Sequence, residues 1–295
     1  MNKTKETGHK YRLLGVMAMF GLLGPIVRAI GLPSAVTAGL REFIAALAII
    51  AYALIIRHEF DWKSIRANLV PMLLGSVFMS LDHIFFFRAY EYTTVAVTTL
   101  CYYLEPTIVV IASALMLKER FSARHWICAG VAFLGMILVS GVVGGGDQIG
   151  DLRGVIYALL AALFYAAIVM INKMYPYEDA LVRTMVQLAG AAIITTVYAL
   201  ASGEFSGVTL SLKSVLLLLL LSIGFTAFPY IVFFKNVPLI PANTVAIFSY
   251  ADPVVAVLVS ALLLGEPMTL FVAAGAVLII GSAIVSEIDL KRGLK

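Results

Sequence analysis

Residues 84–119, IFFFRAYEYTTVAVTTLCYYLEPTIVVIASALMLKE, and residues 231–266, IVFFKNVPLIPANTVAIFSYADPVVAVLVSALLLGE, are two versions of one segment. Set against each other without a gap they agree at 11 of 36 positions, among them Phe86/Phe233, Phe87/Phe234, Tyr103/Tyr250, Pro106/Pro253, Ser113/Ser260 and Glu119/Glu266. Arg88/Lys235 and Glu105/Asp252 are exchanges that keep the charge. Each copy is broken by a proline at the same place, directly after an acidic residue. A repeat of interrupted apolar segments points to two half-molecules that meet around a site near the middle of a bilayer, the arrangement of a secondary transporter.

The rest of the chain agrees with a membrane setting. Of its 295 residues 62% are hydrophobic and 13% charged, against about 25% charged in soluble domains. Apolar stretches of ~20 residues, enough to cross the hydrocarbon as helix, fall near 12–31, 34–56, 68–90, 93–117, 125–143, 152–172, 179–201, 213–235, 241–264 and 268–287. Membrane strands need only ~10 residues of alternating polarity, so runs of this length predict helices. The expectation is an all-α polytopic membrane protein of ten transmembrane helices. The first apolar run has no small-x-small cleavage site before a soluble body and is expected to stay as the first span.

Lys and Arg set the orientation. Arg57, Lys63, Arg66, Lys118, Arg120 and Arg124 follow helices 2 and 4, Lys3, Lys5, Lys10 and Arg12 precede helix 1, and Lys291, Arg292 and Lys295 end the chain. The other side has little beyond Arg153 and Lys213. Both termini are therefore expected in the cytoplasm, the protein lying in the plasma (bacterial inner) membrane. These cations flank spans and do not form a patch on a folded domain, which argues against a nucleic-acid partner. Cys101 and Cys128 lie inside predicted helices and read as small packing residues.

The loop GVVGGGDQIGD at 141–151 divides the helices into five and five. It lacks the Lys-Ser/Thr of a phosphate loop and reads as a flexible linker. The expected organisation is a first repeat over 1–143, a Gly-rich linker over 144–151 and a second repeat over 152–295. Five is odd, so the halves cross the membrane in opposite senses. The turn KERFSARH after helix 4 carries three Lys/Arg, whereas GEPMT after helix 9 carries none, which supports an inverted-topology repeat.

Helices 1 and 6 each place an aromatic early in their half, Phe20 and Tyr165. Phe20-Gly21, Arg41 early in helix 2, the AYEYTTVAV approach to helix 4, LEP with its trailing LMLKE, and the second-copy ADP with LLLGE together resemble the EamA-type branch of the drug/metabolite transporter superfamily. The resemblance covers essentially the whole chain and implies export of amino acids or related metabolites. The related small multidrug resistance proteins depend on a glutamate in their first helix. Helices 1 and 6 here hold no acidic residue, which argues against a direct copy of their mechanism.

Glu105 and Asp252 lie at the middle of helices 4 and 9, where a charge costs from ~3 to more than 10 kcal/mol. Each is a candidate for substrate binding or coupling, or a structural hydrogen-bond acceptor. Pro106 and Pro253 free the carbonyls of Tyr102 and Ser249 and bend the helices, and Pro229 interrupts helix 8. Asp82 and His83 form a second candidate group, either for coupling or as an internal salt bridge, with Asp82 neutralising Arg41 or Arg28. Arg41 and Glu42 are placed less deeply, Arg41 as a packing or gating ion partner and Glu42 without an interpretation. Arg88, beside Glu91, is expected at the interface.

Phe20, Phe86, Tyr102, Tyr103, Tyr165, Phe228, Tyr230 and Tyr250 gather where the repeat is central, either as packing or as the walls of a site. The sequence thus predicts a secondary active transporter of a small metabolite working by alternating access with protons as the candidate coupling ion, and the resemblance implies an amino acid or relative moved outward. Aromatics beside carboxylates give the alternative, import of a cationic amine such as a quaternary ammonium compound. The expected partners are substrate, lipid and protons, the expected assembly a monomer or homodimer, and neither metal nor cofactor is expected. An intramembrane enzyme is a distant alternative, since GxSxG, HExxH and CxxC are absent and the four histidines are scattered.

Overall fold

The computed structural model describes residues 3–105, 108, 111–112, 116, 123–139, 151–175, 179–236, 251–265 and 268–287. Every regular element among them is helical. In chain order these are α1 (Lys3–Phe20), α2 (Leu23–Ile30), α3 (Ser34–Ile55), α4 (Trp62–Ala67), α5 (Leu69–Tyr92), α6 (Val95–Tyr102), α7 (Ala123–Val139), α8 (Leu152–Met174), α9 (Ala180–Ala201) and α10 (Leu212–Leu219). A π-helical segment over Leu220–Ala227 leads into α11 (Phe228–Asn236), and α12 (Ala251–Leu263) and α13 (Leu270–Glu287) follow.

Among the described residues, six stretches are long and apolar enough to cross a membrane: Tyr11–Ile30, Ser34–Ile55, Leu69–Tyr92, Leu152–Asn172, Leu181–Ala201 and Leu212–Val232. Trp126–Leu138 and Leu270–Ser282 are shorter apolar helices. Much of the expected helices 4 and 9, and the linker except Asp151, lies outside the described residues. Two differences from expectation are local. A short helix, α4, fills the expected turn after helix 2 because Asp61 caps it, its Oδ1 accepting from the N–H groups of Lys63 and Ser64 at 3.1 Å. The expected single helix over 12–31 is two helices, for a reason given below.

Side-chain size is distributed as lipid dictates. Large apolar groups such as Leu47, Leu54, Ile193, Val197 and Leu216 face outward, while Ala35, Ala38, Ala45, Ala158, Ala161, Ala162, Ala191 and Ala199 are buried. Lipid tails are as apolar as leucine, so helices gain by close approach of backbones across small residues. Accordingly α3 packs on α9, α5 on α8 and α9, and α7 on α13, while α6 lies against α8 and α12. Gly190 shows the fit: a Cβ there would stand 2.4 Å from the Ser76 Oγ of α5.

The bundle is pinned at both ends of α3. At its start, the Ser34 N–H donates to Glu91 Oε1 at 3.2 Å and the Ala35 N–H to Glu204 Oε2 at 3.1 Å. Arg88 bridges the two carboxylates, 2.9 Å from Glu91 and 3.6 Å from Glu204. Two anions at the positive end of a helix dipole, held by one guanidinium, tie α3 to α5 and to the chain after α9. Just beyond the other end, the His58 ring lies 2.7 Å from Asp179, whose other carboxylate oxygen accepts from the Val182 N–H and caps α9.

Candidate functional site

Three helix interruptions build the site, and each follows from proline lacking an N–H for the carbonyl four residues back. Pro25 cannot serve Gly21, and the chain leaves the helix at Gly21–Leu22, between α1 and α2. Pro106 cannot serve Tyr102, and α6 ends there, with a turn at Tyr103–Leu104. Pro229 cannot serve Phe225, which lies in the π-helical segment. Within that segment Thr226 Oγ1 donates to the Leu221 carbonyl at 2.9 Å and Ser222 Oγ to Leu218 at 2.7 Å, hydroxyls bonding back onto carbonyls of the preceding turn. Pro253 belongs to α12, but the chain before Ala251, including Tyr250 and Ser249, lies outside the described residues, as does Pro106 itself. The break at Pro25 was not expected.

The interruptions face a cavity of about 400 Å³, within the range of small-molecule sites. Glu105, Asp82, His83, Tyr102, Tyr103, Phe20, Phe86, Tyr165, Tyr230 and Asp252 all line it. The aromatic rings touch one another around it: Phe86 and Tyr102 at 4.5 Å between centroids, Tyr102 and Tyr165 at 5.8 Å, Phe20 and Tyr230 at 5.7 Å. Phe228 does not belong to this group; it is 54% exposed and faces outward, because the bulge and Pro229 turn Tyr230 to the inside instead. Gly21 lets the break come close to α12, where a Cβ would stand 2.5 Å from the Asp252 carbonyl oxygen.

Charges of both signs meet in this cavity. Arg41 and Glu42, expected at lesser depth, are 2% and 0% exposed, because α3 turns the stripe Ala38, Arg41, Glu42, Ala45 and Ile49 inward. The Arg41 guanidinium lies 4.9 Å over the Phe87 ring, and its Nε and Nη2 make no hydrogen bond. Asp82 Oδ1 and Glu105 Oε2 are likewise buried without a partner. The Tyr102 hydroxyl donates to Asp82 Oδ2 at 3.3 Å and is also in reach of Glu105. With one hydrogen it can serve only one carboxylate at a time. The Tyr103 hydroxyl bonds the Asp252 carboxylate.

His83 is paired differently from the expectation. Its Nδ1 lies 2.5 Å from Glu42 Oε1 on α3, while Nε2 is 4.0 Å from Asp82. Adjacent residues on a helix diverge by about 100°, so a neighbouring helix reaches the ring better than the next residue does. Arg28 does not neutralise Asp82: it donates to the carbonyls of Tyr90 and Thr93. Arg41 is the cation whose field Asp82 feels. Sequence reading also passed over Arg183, Asn172 and Gln187, which line the same cavity, the Gln187 amide donating to Asn172 at 3.1 Å. Polar residues inside otherwise apolar helices are the signal that marks them.

The model of the EamA-like transporter family matches residues 12–141 and again residues 152–287. "Uncharacterized transporter YxxF" of Bacillus subtilis (strain 168) is 24% identical over 89% of this chain and 84% of its own length. "Uncharacterized transporter YvbV" of the same organism is 25% identical over 96% of this chain and 92% of its own. An "Uncharacterized transporter" of Archaeoglobus fulgidus is 24% identical over 81% and 83%. One solved crystal structure, 20% identical, matches with a TM-score of 0.67 over 96% of both chains. With both halves of the chain matched, this protein belongs to the EamA-like transporter family, within the drug/metabolite transporter superfamily, and is an integral membrane transporter.

Proposed function

We propose that this protein is a secondary active transporter that moves an amino acid or closely related metabolite outward across the cell membrane by alternating access, coupled to protons. One observation carries the reading: a single buried cavity offers a guanidinium with free donors, at Arg41, and carboxylate oxygens with free acceptor sites, at Asp82 and Glu105. A zwitterion supplies the matching carboxylate and ammonium, and both contacts are charge-assisted. The aromatic walls then receive its side chain.

The architecture proposed for this activity is ten helices in two inverted halves, both termini cytoplasmic. The family model's two matches support the duplication. So does the packing. Exchanging each helix of one half for its counterpart turns the α5–α8 contact into that of α1–α2 with α10–α11, the α6–α8 contact into that of α1–α2 with α12, and the α5–α9 contact into that of the π segment with α3. The pairs α3–α9, α6–α12 and α7–α13 map onto themselves.

Proteoliposomes test this directly. A panel of amino acids, amines and nucleosides is first screened for thermal stabilisation of the purified protein, and each binder is then followed as flux with and without a pH gradient. Glu105→Gln and Asp82→Asn are expected to remove pH-driven flux. Wild-type flux indifferent to pH would refute proton coupling, and binders that never move would refute transport. The rings around Asp82 and Glu105 favour a second reading, import of a cationic amine. Phenethylamine, which is phenylalanine without its carboxylate, separates the two: Arg41→Gln should abolish phenylalanine movement alone under the first reading and affect neither probe under the second.

A further inference from the structure

We propose that Glu42 and His83 together hold the exchanging proton, in a position that substrate cannot reach, so that proton and substrate ammonium compete through Asp82 for one negative charge. The proposal rests on the transporter reading above. Glu42 is wholly buried and does not line the cavity, whereas His83, to which its Oε1 is bonded, does. The imidazole therefore stands between a hidden carboxylate and Asp82. Glu42 Oε2 and Asp82 Oδ1 are both buried and unpartnered.

Charge counting on this cluster gives the exchange. With His83 neutral, the single guanidinium of Arg41 faces two carboxylates, Glu42 and Asp82, and one negative charge is uncompensated. From the other elements around the cavity come the carboxylates of Glu105 and Asp252, the hydroxyls of Tyr102, Tyr165 and Tyr230, and Arg183 near the start of α9; Glu105 and Asp252 deepen the deficit beside Asp82. A proton on the His83–Glu42 pair makes an imidazolium and cancels the excess at Asp82. A substrate ammonium bound at Asp82 Oδ1 cancels the same charge. Imidazolium and ammonium beside the one Asp82 carboxylate repel each other and divide its attraction, so one weakens the hold on the other. The step balances: substrate binding releases the imidazolium proton to water, and its return expels substrate. For an exporter facing an acid exterior this is proton/substrate exchange.

The test has a ligand arm and a ligand-free arm. L-phenylalanine and phenethylamine are added to weakly buffered purified protein containing a pH-indicator dye. Wild type is expected to release about one proton per ligand bound, with apparent affinity rising about tenfold per pH unit wherever that proton is released. Glu42→Gln, which removes the uncompensated charge itself, should bind more weakly, release no proton and show affinity flat against pH. Proton release that persists in Glu42→Gln would overturn the proposal and return the proton to the cavity carboxylates. In the ligand-free arm, nitrogen NMR of histidine-labelled wild type should show the His83 ring changing its protonation with pH, and that change altered in Glu42→Gln. An imidazole fixed in one state overturns the proposal without relying on a variant. If His83 titrates with Glu42 but neither probe binds, the proton site stands and the substrate class proposed above falls.

Discussion

Gly21→Ala tests the way the first helix break is seated on α12. The added methyl carbon would stand 2.5 Å from the Asp252 carbonyl oxygen, 2.8 Å from Val255 Cβ and 3.1 Å from the Ala256 nitrogen. Ordinary contacts of this kind lie at about 3.3–4.0 Å, so the two segments have to separate by about 1 Å. Two of the three obstacles are backbone atoms, which cannot rotate aside as a side chain can. Overpacking of this kind costs about 1–3 kcal/mol, and the same displacement draws Asp252 away from Phe20 across the cavity. Gly15→Ala is the control: it lies in α1, nothing stands within 4 Å of its would-be Cβ, and alanine in a helix gains up to about 1 kcal/mol over glycine. Thermal unfolding of both variants in one detergent should lower the midpoint by about 2–10 °C for Gly21→Ala and leave Gly15→Ala level or raised. A Gly21→Ala protein that melts with wild type, or two variants that fall together, would refute the close seating.

Other expectations follow from single contacts. Gly190→Ala should destabilise by about 1–3 kcal/mol through its clash with Ser76, and adding Ser76→Gly should recover most of the loss in a double-mutant cycle of melting curves. Tyr102→Phe removes the donor shared by Asp82 and Glu105; it should keep the fold but weaken phenethylamine binding, measured by calorimetry, and unchanged binding would count against the shared donor. Glu204→Gln removes one of the two anions at the start of α3. In a background lacking Cys101 and Cys128 it should raise labelling of Thr99→Cys by a membrane-impermeant maleimide applied outside. On the surface, hydrogen bonds from Arg153 hold Asp151 below the ordinary value of 3.8. Its contribution is therefore present above that value and is lost as pH falls through the lower folded one. Asp151→Asn should flatten this acid limb of the melting temperature.

The repeat at residues 84–119 and 231–266 was enough to locate a broken helix with a carboxylate at Glu105, because proline and a mid-span charge act through local chemistry that any sequence displays. The pairing of His83 with Glu42 was not legible. It depends on how α3 and α5 rotate against each other, and a helix that is apolar on every side carries little amphipathic signal of its rotation. The useful signal was finer: small and polar residues at helical spacing, Ala38, Glu42 and Ala45 on α3 and Ser76, Ser80 and His83 on α5, mark the faces turned inward. Pro25 has no counterpart in the second half to mark it. Its effect on Gly21 follows the same rule as that of Pro106 on Tyr102.

Those two prolines also impose a hydration requirement on the transport cycle. The carbonyls of Gly21 and Tyr102 have no N–H four residues on, and in a membrane interior a polar group left dry costs several kcal/mol. Under the alternating access proposed above, another donor, whether a side chain, water or a ligand, has to take the place of that N–H as the cavity changes shape. Squeezing the path dry to switch sides is then cheap only when cargo has replaced the water. Under the proposed cycle an empty molecule would then pay a dehydration barrier, and the backbone itself would help to suppress futile cycling.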